Sequence, residues 1–128
     1  MTFNNIYYKI LESDALSVWL DDERDPSEPA ISKIFGSTGN EIWVKTAHNC
    51  IDLLKTGNVY KISLDHDLGN EEEVGNGYDV ARFIEEQAFL GKLPPLEWRV
   101  HSRNRVAAER MSNALRNADR FWNNERKV

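Results

Sequence analysis

The sequence has little cysteine, no long apolar run and no excess of positive charge. Its one cysteine, Cys50, excludes an internal disulfide and a cysteine-based zinc site. No stretch approaches the roughly 18 apolar residues of a membrane-spanning helix, and the first residues lack the basic region and apolar stretch of a secretion signal. We therefore expect a cytoplasmic protein with no membrane partner.

The net charge of −5 argues against general DNA binding, because affinity for nucleic-acid backbones is built from clustered Lys and Arg. The segment from Arg99 to Lys127 is nevertheless locally basic. It is interpreted either as the solvated face of an amphipathic helix or as a positive patch, a few of whose arginines serve a phosphate. The sequence gives no indication of the oligomeric state.

A chain of 128 residues is large enough for one hydrophobic core and too small for two, so we expect residues 1–128 to form a single domain. Residues 1–15 lack a clean period and are interpreted as an N-terminal arm or an extra edge strand. Residues 16–128 are interpreted as an α/β core.

Short apolar runs alternate with helical patterns along this core. Strands are predicted at 16–20, 42–46, 60–64 and 96–100; helices are predicted at 29–35, after His48 as far as residue 55, at 78–89 and at 104–123. Such alternation favours right-handed βαβ crossovers, so the predicted fold is a three-layer α/β fold with a parallel sheet of about four strands. The acidic, glycine-rich segment 70–77 is predicted to be an exposed loop, either a flap over a site or a plain connection.

Polar side chains follow three of the predicted strands. Asp21 and Asp22 come directly after the first strand, Asp65, His66 and Asp67 after the third, and His101 and Ser102 after the fourth. Because ligands of open α/β sheets bind at the carboxyl ends of the strands, these residues predict one site.

Three of these carboxylates, on Asp21, Asp22 and Asp65, are expected to converge. Their mutual repulsion requires a compensating cation, and oxygen ligands suit Mg²⁺ or Mn²⁺ better than zinc. In the alternative interpretation, Asp21 and Asp22 cap a turn and face water.

The two histidines at strand ends suggest proton transfer. One of His66 and His101 could act as base toward water, and the other as acid toward a leaving oxygen. Asp67 is expected to orient His66 or a metal-bound water, and Ser102 is expected to donate a hydrogen bond to a phosphoryl oxygen. His48 is interpreted as a helix-capping residue outside the site.

These motifs resemble the receiver domain of response regulators, and more closely its divergent group of cyclic-phosphate processing receiver domains. The resemblance rests on residues 18–24 (VWLDDER), 64–69 (LDHDLG), 77–81 (GYDVA) and 100–102 (VHS), and spans about residues 16–115. It implies a receiver/flavodoxin-like fold, Mg²⁺ at the acidic residues, and a third-strand Asp that in ordinary receivers accepts a phosphoryl group. Ordinary receivers also have a fifth strand ending in lysine, which this sequence lacks, and that departure favours chemistry over signalling.

The leading hypothesis is a metal-dependent phosphohydrolase or phosphodiesterase acting on a cyclic phosphate of a nucleotide or RNA end. Its predicted residues fall into three groups: metal ligands Asp21, Asp22 and Asp65; catalytic residues His66, His101, Asp65 and Asp67; and substrate-binding residues Ser102, Arg103 and Arg24. One alternative is a non-catalytic module that binds a phosphorylated or cyclic-nucleotide ligand or a protein partner. Another is a degenerate phosphoacceptor modified at Asp65.

Overall fold

The structure is a computed structural model, and it describes residues 15–126. The predicted N-terminal arm therefore lies, apart from residue 15, outside the described residues.

Strands and helices alternate along the described chain as the sequence predicted. The elements are β1 (Leu16–Leu20), α1 (Pro29–Phe35), β2 (Ile42–Val44), α2 (Ala47–Leu54), β3 (Val59–Leu64), α3 (Glu71–Val74), α4 (Gly77–Phe89), β4 (Glu97–Val100) and α5 (Arg105–Arg126).

The four strands form one parallel sheet in the order β2-β1-β3-β4. This receiver/flavodoxin-like α/β arrangement confirms the predicted fold class. No strand follows β4 within residues 15–126, as the departure from ordinary receivers predicted. β4 is therefore an edge of the sheet.

One face of the sheet carries the hydrophobic core. Its strand residues Val18, Leu20, Ile62 and Leu64 are fully buried or nearly so. They pack with buried side chains of the three longer helices, which include Cys50, Leu54, Val80, Ile84, Met111 and Leu115. Burial raises the pKa of the Cys50 thiol to about 12, so this cysteine stays protonated and acts as an apolar core residue.

The opposite face has a thinner cover. Trp19 and Ser63 lie side by side on adjacent strands of this face, and α1 contributes no buried residue. The end of α1 is held by Arg99 of β4, whose guanidinium donates hydrogen bonds to the carbonyl oxygens of Phe35 at 3.3 Å and Gly36 at 3.2 Å. The three layers are therefore unequal: three helices cover one face, and α1 covers the other through polar contacts.

β2 is shorter than predicted, because Thr46 is the N-cap of the following helix. Its hydroxyl oxygen accepts a hydrogen bond from the backbone N–H of Asn49 at 3.1 Å and caps α2. The interpretation of His48 as the capping residue was therefore wrong. His48 lies exposed in the first turn of α2, with its Nε2 3.4 Å from a carboxylate oxygen of Asp52.

The acidic segment 70–77 was predicted to be a loop. It is not fully irregular, because it contains α3. Asn70 caps this turn through its side-chain oxygen, which accepts from the N–H of Glu72. The acidic residues Glu71, Glu72 and Glu73 occupy the first turn, where the helix dipole favours negative charge. The hypothesis that the segment is a flap stays a prediction.

Gly77 begins α4 directly against the end of β3. Its N–H donates to the carbonyl oxygen of His66 at 2.9 Å. A Cβ at this position would overlap the carbonyl oxygen of Asp65 and lie 2.7 Å from Cε of Met111. Only glycine allows so close an approach, and it fixes the residues that follow β3.

Candidate functional site

Asp21, Asp65 and His101 stand in one row at the carboxyl end of the sheet. Each is the first residue after its strand, and its backbone N–H continues the ladder by donating to Val44, Leu20 and Leu64 respectively, at 2.9 to 3.1 Å. All three are buried. The sheet thus brings together two of the predicted carboxylates and one of the predicted histidines.

The Asp21 carboxylate is saturated with hydrogen-bond donors. Oδ1 accepts from the backbone N–H groups of Glu23 at 2.9 Å and Arg24 at 3.0 Å. Oδ2 accepts from the guanidinium of Arg24 and from Nε2–H of His101, both at 3.0 Å. Two bonds at each oxygen leave no free lone pair.

These donors decide the ionisation of Asp21. Burial by itself would raise the pKa, but the hydrogen bond from His101, then the two backbone N–H groups and the Arg24 guanidinium, lower it to about 2. Asp21 is therefore a carboxylate at every physiological pH.

Both ring nitrogens of His101 are occupied inside the protein. Nε2 bonds to Asp21, and Nδ1 lies 2.8 Å from the hydroxyl of Ser63. The ring also stacks on Trp19, with centroids 4.0 Å apart and planes inclined by 12°. This arrangement leaves His101 no nitrogen for a substrate, so it fits a residue that positions Asp21 better than the predicted exchange of protons.

Asp65 faces a cavity of about 520 Å³ at the end of the sheet. The cavity is lined by Asp22, Glu23, Arg24, Asp65, Asp67, Gly69 and Arg103. Burial, followed by the nearby charge of Asp21, raises the pKa of the Asp65 carboxyl; the backbone N–H of His66 and the charges of His101 and Arg24 offset this only in part.

Arg24 lies between the two carboxylates. Its Nη1 is 3.0 Å from Oδ2 of Asp21 and 3.5 Å from Oδ2 of Asp65. Trp19 fixes the turn that carries it, because the indole N–H donates to the carbonyl oxygen of Arg24 at 3.0 Å. Arg24 therefore supplies part of the positive charge that compensates the repulsion of these acids, for which the sequence predicts a metal cation.

The acidic residues are close enough to share a cation. Asp21, Asp22 and Asp65 each offer an oxygen, and these atoms lie within 4.8 Å of one another. Since the oxygens of Asp21 are already bonded, the residues that best fit Mg²⁺ or Mn²⁺ are Asp22 and Asp65, whose carboxylates line the cavity. The metal itself stays a prediction.

His66 and Asp67 form a pair at the rim of the cavity. Nδ1 of His66 donates to Oδ1 of Asp67 at 2.7 Å, since a carboxylate can only accept. The side chain of Asp67 is 68% exposed and that of His66 is 12% exposed. Asp67 lines the cavity whereas His66 does not, a geometry that fits an imidazole orienting the carboxylate. That Asp67 orients His66 or a metal-bound water stays a prediction.

The two remaining predicted residues differ in their placement. Arg103 lines the cavity. The hydroxyl oxygen of Ser102 accepts from the backbone N–H of Asn104 at 3.0 Å, just before α5 begins, and Ser102 does not line the cavity. Its predicted contact with a phosphoryl oxygen stays a prediction.

Three residues of the site are absent from the sequence-based prediction. Trp19 and Ser63 each lie two positions before a strand-end acid, so the alternation of strand side chains could have placed them beneath it. Phe35 had no such signal. Its ring lies 4.5 Å from the guanidinium carbon of Arg24 and 5.4 Å from that of Arg103.

Comparison with known protein families finds one match. A family model described as the cyclic-phosphate processing Receiver domain matches residues 16–117, well over half of the chain. No curated protein and no solved structure matches the chain. Among residues 15–126, no helix is both long and apolar enough to cross a membrane.

Proposed function

This chain belongs to the cyclic-phosphate processing receiver domain family, and we propose that it is a metal-dependent phosphohydrolase that opens a cyclic phosphate on a nucleotide or RNA end. The proposal is carried by the cavity, which joins carboxylates suited to a divalent cation with arginines suited to phosphoryl oxygens.

Ring opening is a hydrolysis and needs no redox partner. A bond forms between a water oxygen and phosphorus, and one of the two ring P–O bonds breaks, giving a phosphate monoester and a free hydroxyl. The water loses a proton, and the leaving oxygen gains one. The site must therefore accept a proton, hold negative phosphoryl oxygens and stabilise developing charge.

The arginines are the groups suited to the phosphoryl oxygens. Arg103 lines the cavity without an acidic hydrogen-bond partner among residues 15–126. A guanidinium can donate two parallel hydrogen bonds to a phosphate. Arg24, already bonded to Asp21 and Asp65, lends positive charge to the same cavity.

The Asp67 carboxylate is the group suited to accept the proton of water. It lines the cavity, and the N–H of His66 holds one of its oxygens. The leaving oxygen takes its proton from solvent, to which the exposed rim at Asp67 is open.

Asp22 and Asp65 would hold Mg²⁺ or Mn²⁺, which when bound would supply stabilisation of negative charge on the phosphoryl oxygens. The raised pKa of Asp65 means that its negative charge is held at a cost, and a cation in the cavity would relieve that cost. Asp21, which accepts a hydrogen bond from His101, lies next to Asp65 and keeps Arg24 in place.

The function is tested by phosphorus NMR of the purified protein with Mg²⁺ or Mn²⁺ and a panel of 2′,3′-cyclic nucleotides, cyclic dinucleotides and ADP-ribose cyclic phosphate. We expect one cyclic resonance to be replaced by that of a monoester, and Asp65→Ala to abolish the change. Asp52→Ala, an exposed aspartate on α2, is the matched control and should behave as wild type. The enzyme proposal fails if no member of the panel is converted.

A non-catalytic binding module is the second candidate, and the engagement of both His101 nitrogens within the protein favours it. This engagement removes one of the two predicted proton carriers. If the protein is a binding module, a cyclic resonance shifts or broadens in its presence, and no monoester forms.

A further inference from the structure

Three arginines converge on the last turn of α1. The guanidinium carbons of Arg24 and Arg103 lie 4.5 Å and 5.4 Å from the centre of the Phe35 ring, within the range of a cation–π interaction. Arg99 donates to the carbonyl oxygens of Phe35 and Gly36. The rings of Phe35 and His101 are also arranged edge to face, with centroids 6.1 Å apart.

Polar contacts, rather than core packing, place this ring. α1 has no buried residue and ends at Gly36, whose φ of 85° is the left-handed conformation that glycine adopts readily. The hydroxyl of Ser32 donates to the carbonyl oxygen of Ser37, and the buried hydroxyl of Ser37 donates to that of Pro26. A change at Phe35 should therefore leave the core of the domain intact.

Phe35 does not line the cavity, although both arginines that it touches do. Arg103 is exposed, and an exposed arginine without a neighbouring surface samples many rotamers that a phosphate would have to restrict. An aromatic ring beside the guanidinium limits those rotamers before any ligand arrives.

We propose that Phe35 is a positioning residue that holds Arg24 and Arg103 toward the cavity and thereby sets the affinity of the site for phosphate. This inference rests on the proposed function in taking the cavity to be a phosphate site. It predicts an effect on binding rather than on the chemical step: in Phe35→Leu the affinity falls about three- to tenfold, KM rises by the same factor, and kcat is unchanged.

The contact itself is measured by NMR of the arginine side-chain Nε–Hε groups. In the wild type, we expect the ring of Phe35 to shift the Arg24 and Arg103 signals upfield. Phe35→Leu should abolish that shift, and Phe35→Tyr, which keeps the ring, should restore it. Ile34→Ala, whose exposed side chain neighbours Phe35 on α1, is the matched control and should change neither signal. Unchanged arginine signals in Phe35→Leu would overturn the proposal.

The predicted effect on affinity is measured by calorimetry. Inorganic phosphate and a 2′,3′-cyclic nucleotide are titrated into the wild type, Phe35→Leu, Phe35→Tyr and Ile34→Ala. Weaker phosphate binding in Phe35→Leu, with wild-type affinity in Phe35→Tyr and Ile34→Ala, supports the proposal. If the wild type binds phosphate with this pattern yet opens no ring, the proposed hydrolysis fails and the role of Phe35 stands. Equal binding by all four proteins, or no binding of phosphate by the wild type, overturns the role of Phe35.

Discussion

Asp21 and Asp65 are neighbours in the same row of the sheet, both buried, yet their pKa values move in opposite directions. Burial raises the pKa of each. Asp21 has four donors at 2.9 to 3.0 Å, whereas the charged neighbour of Asp65, Arg24, lies at 3.5 Å. The number of close donors, together with the negative charge of Asp21 beside Asp65, therefore decides the sign of the pKa shift, not the depth of burial.

The two histidines repeat this contrast. His101 is buried, stacked and bonded through both nitrogens, whereas His66 bonds through Nδ1 to an exposed carboxylate. The site thus has two parts, which we call the inner layer (Trp19, Asp21, Ser63 and His101) and the outer layer (Asp22, Asp65, Asp67 and Arg103). The inner layer is satisfied within the protein; the outer layer is available to a ligand.

The division has a consequence for mutations. Residues that hold a fold are stabilising, whereas residues poised for a ligand are often held at a cost to stability. Changes in the inner layer should therefore lower stability most, and changes in the outer layer should lower activity most.

The largest effect is expected at the inner layer. Asp21→Ala leaves the Nε2–H of His101, two backbone N–H groups and the Arg24 guanidinium without their acceptor. Loss of one partner from a buried charged network typically costs about 3 to 5 kcal/mol, and we expect the free energy of unfolding in urea to fall by that amount. Asp52→Ala, at an exposed site, should stay within about 0.5 kcal/mol of wild type. Equal stability of the two variants would contradict the structural role of the inner layer.

The second largest effect is expected at Asp65, a carboxylate of the outer layer. Asp65→Asn should slow opening of the cyclic phosphate by at least about 100-fold, because it removes a charge on which the site's cation depends. Its urea midpoint should not fall, since the change removes a charge that burial and Asp21 disfavour. Steady-state kinetics and urea unfolding on the same preparation measure both effects. If Asp65→Asn is fully active, or is inactive only because it is unfolded, the contrast between the inner and outer layers is contradicted.

Much of this site could be predicted from sequence, because its acids and one histidine directly follow strands that the sequence pattern indicates. Apolar runs followed directly by acids or histidine predicted the strands, and the parallel topology predicted that Asp21, Asp65 and His101 would meet. Contacts between residues distant in sequence could not be predicted from these patterns. The four donors to Asp21 are two backbone N–H groups of a turn, the Arg24 guanidinium and His101, which lies 80 residues away in sequence. Phe35 lies on a helix whose pattern gives no indication of its neighbours.

The pH dependence of stability should show the same division. The pKa of Asp21 is lowered from 3.8 to about 2, so this group stabilises the fold above pH 4 and its contribution is lost as the pH falls toward 2. The shift corresponds to about 2 kcal/mol. The pKa of Asp65 is raised, so its contribution has the opposite sign: it is present at low pH and is lost as the pH rises through its folded pKa.

Urea unfolding at several pH values between 5 and about 2 measures this loss. The fall in stability over this interval should be smaller in Asp21→Asn than in wild type, with Asp52→Asn as the control. An equal fall in both variants would assign the acid sensitivity to other carboxyl groups.

The smallest effect is expected at His66. If the imidazole only orients Asp67, His66→Ala should lower kcat by about tenfold, less than the roughly 100-fold or more that loss of a proton-transferring group costs. His66→Gln retains a donor for Asp67 and should recover part of the rate. A loss of 100-fold or more, without recovery in His66→Gln, would instead make His66 one of the two proton carriers that the sequence predicted.

The contrast between the two carboxylates is tested most directly by carbon-13 NMR titration of the aspartate carboxyl carbons in labelled protein. The account predicts that Asp21 titrates near pH 2 and that Asp65 titrates above the usual range of an aspartate. Titration of both residues together near the ordinary value of 3.8 would contradict it, because the inner and outer layers would then have the same electrostatic environment.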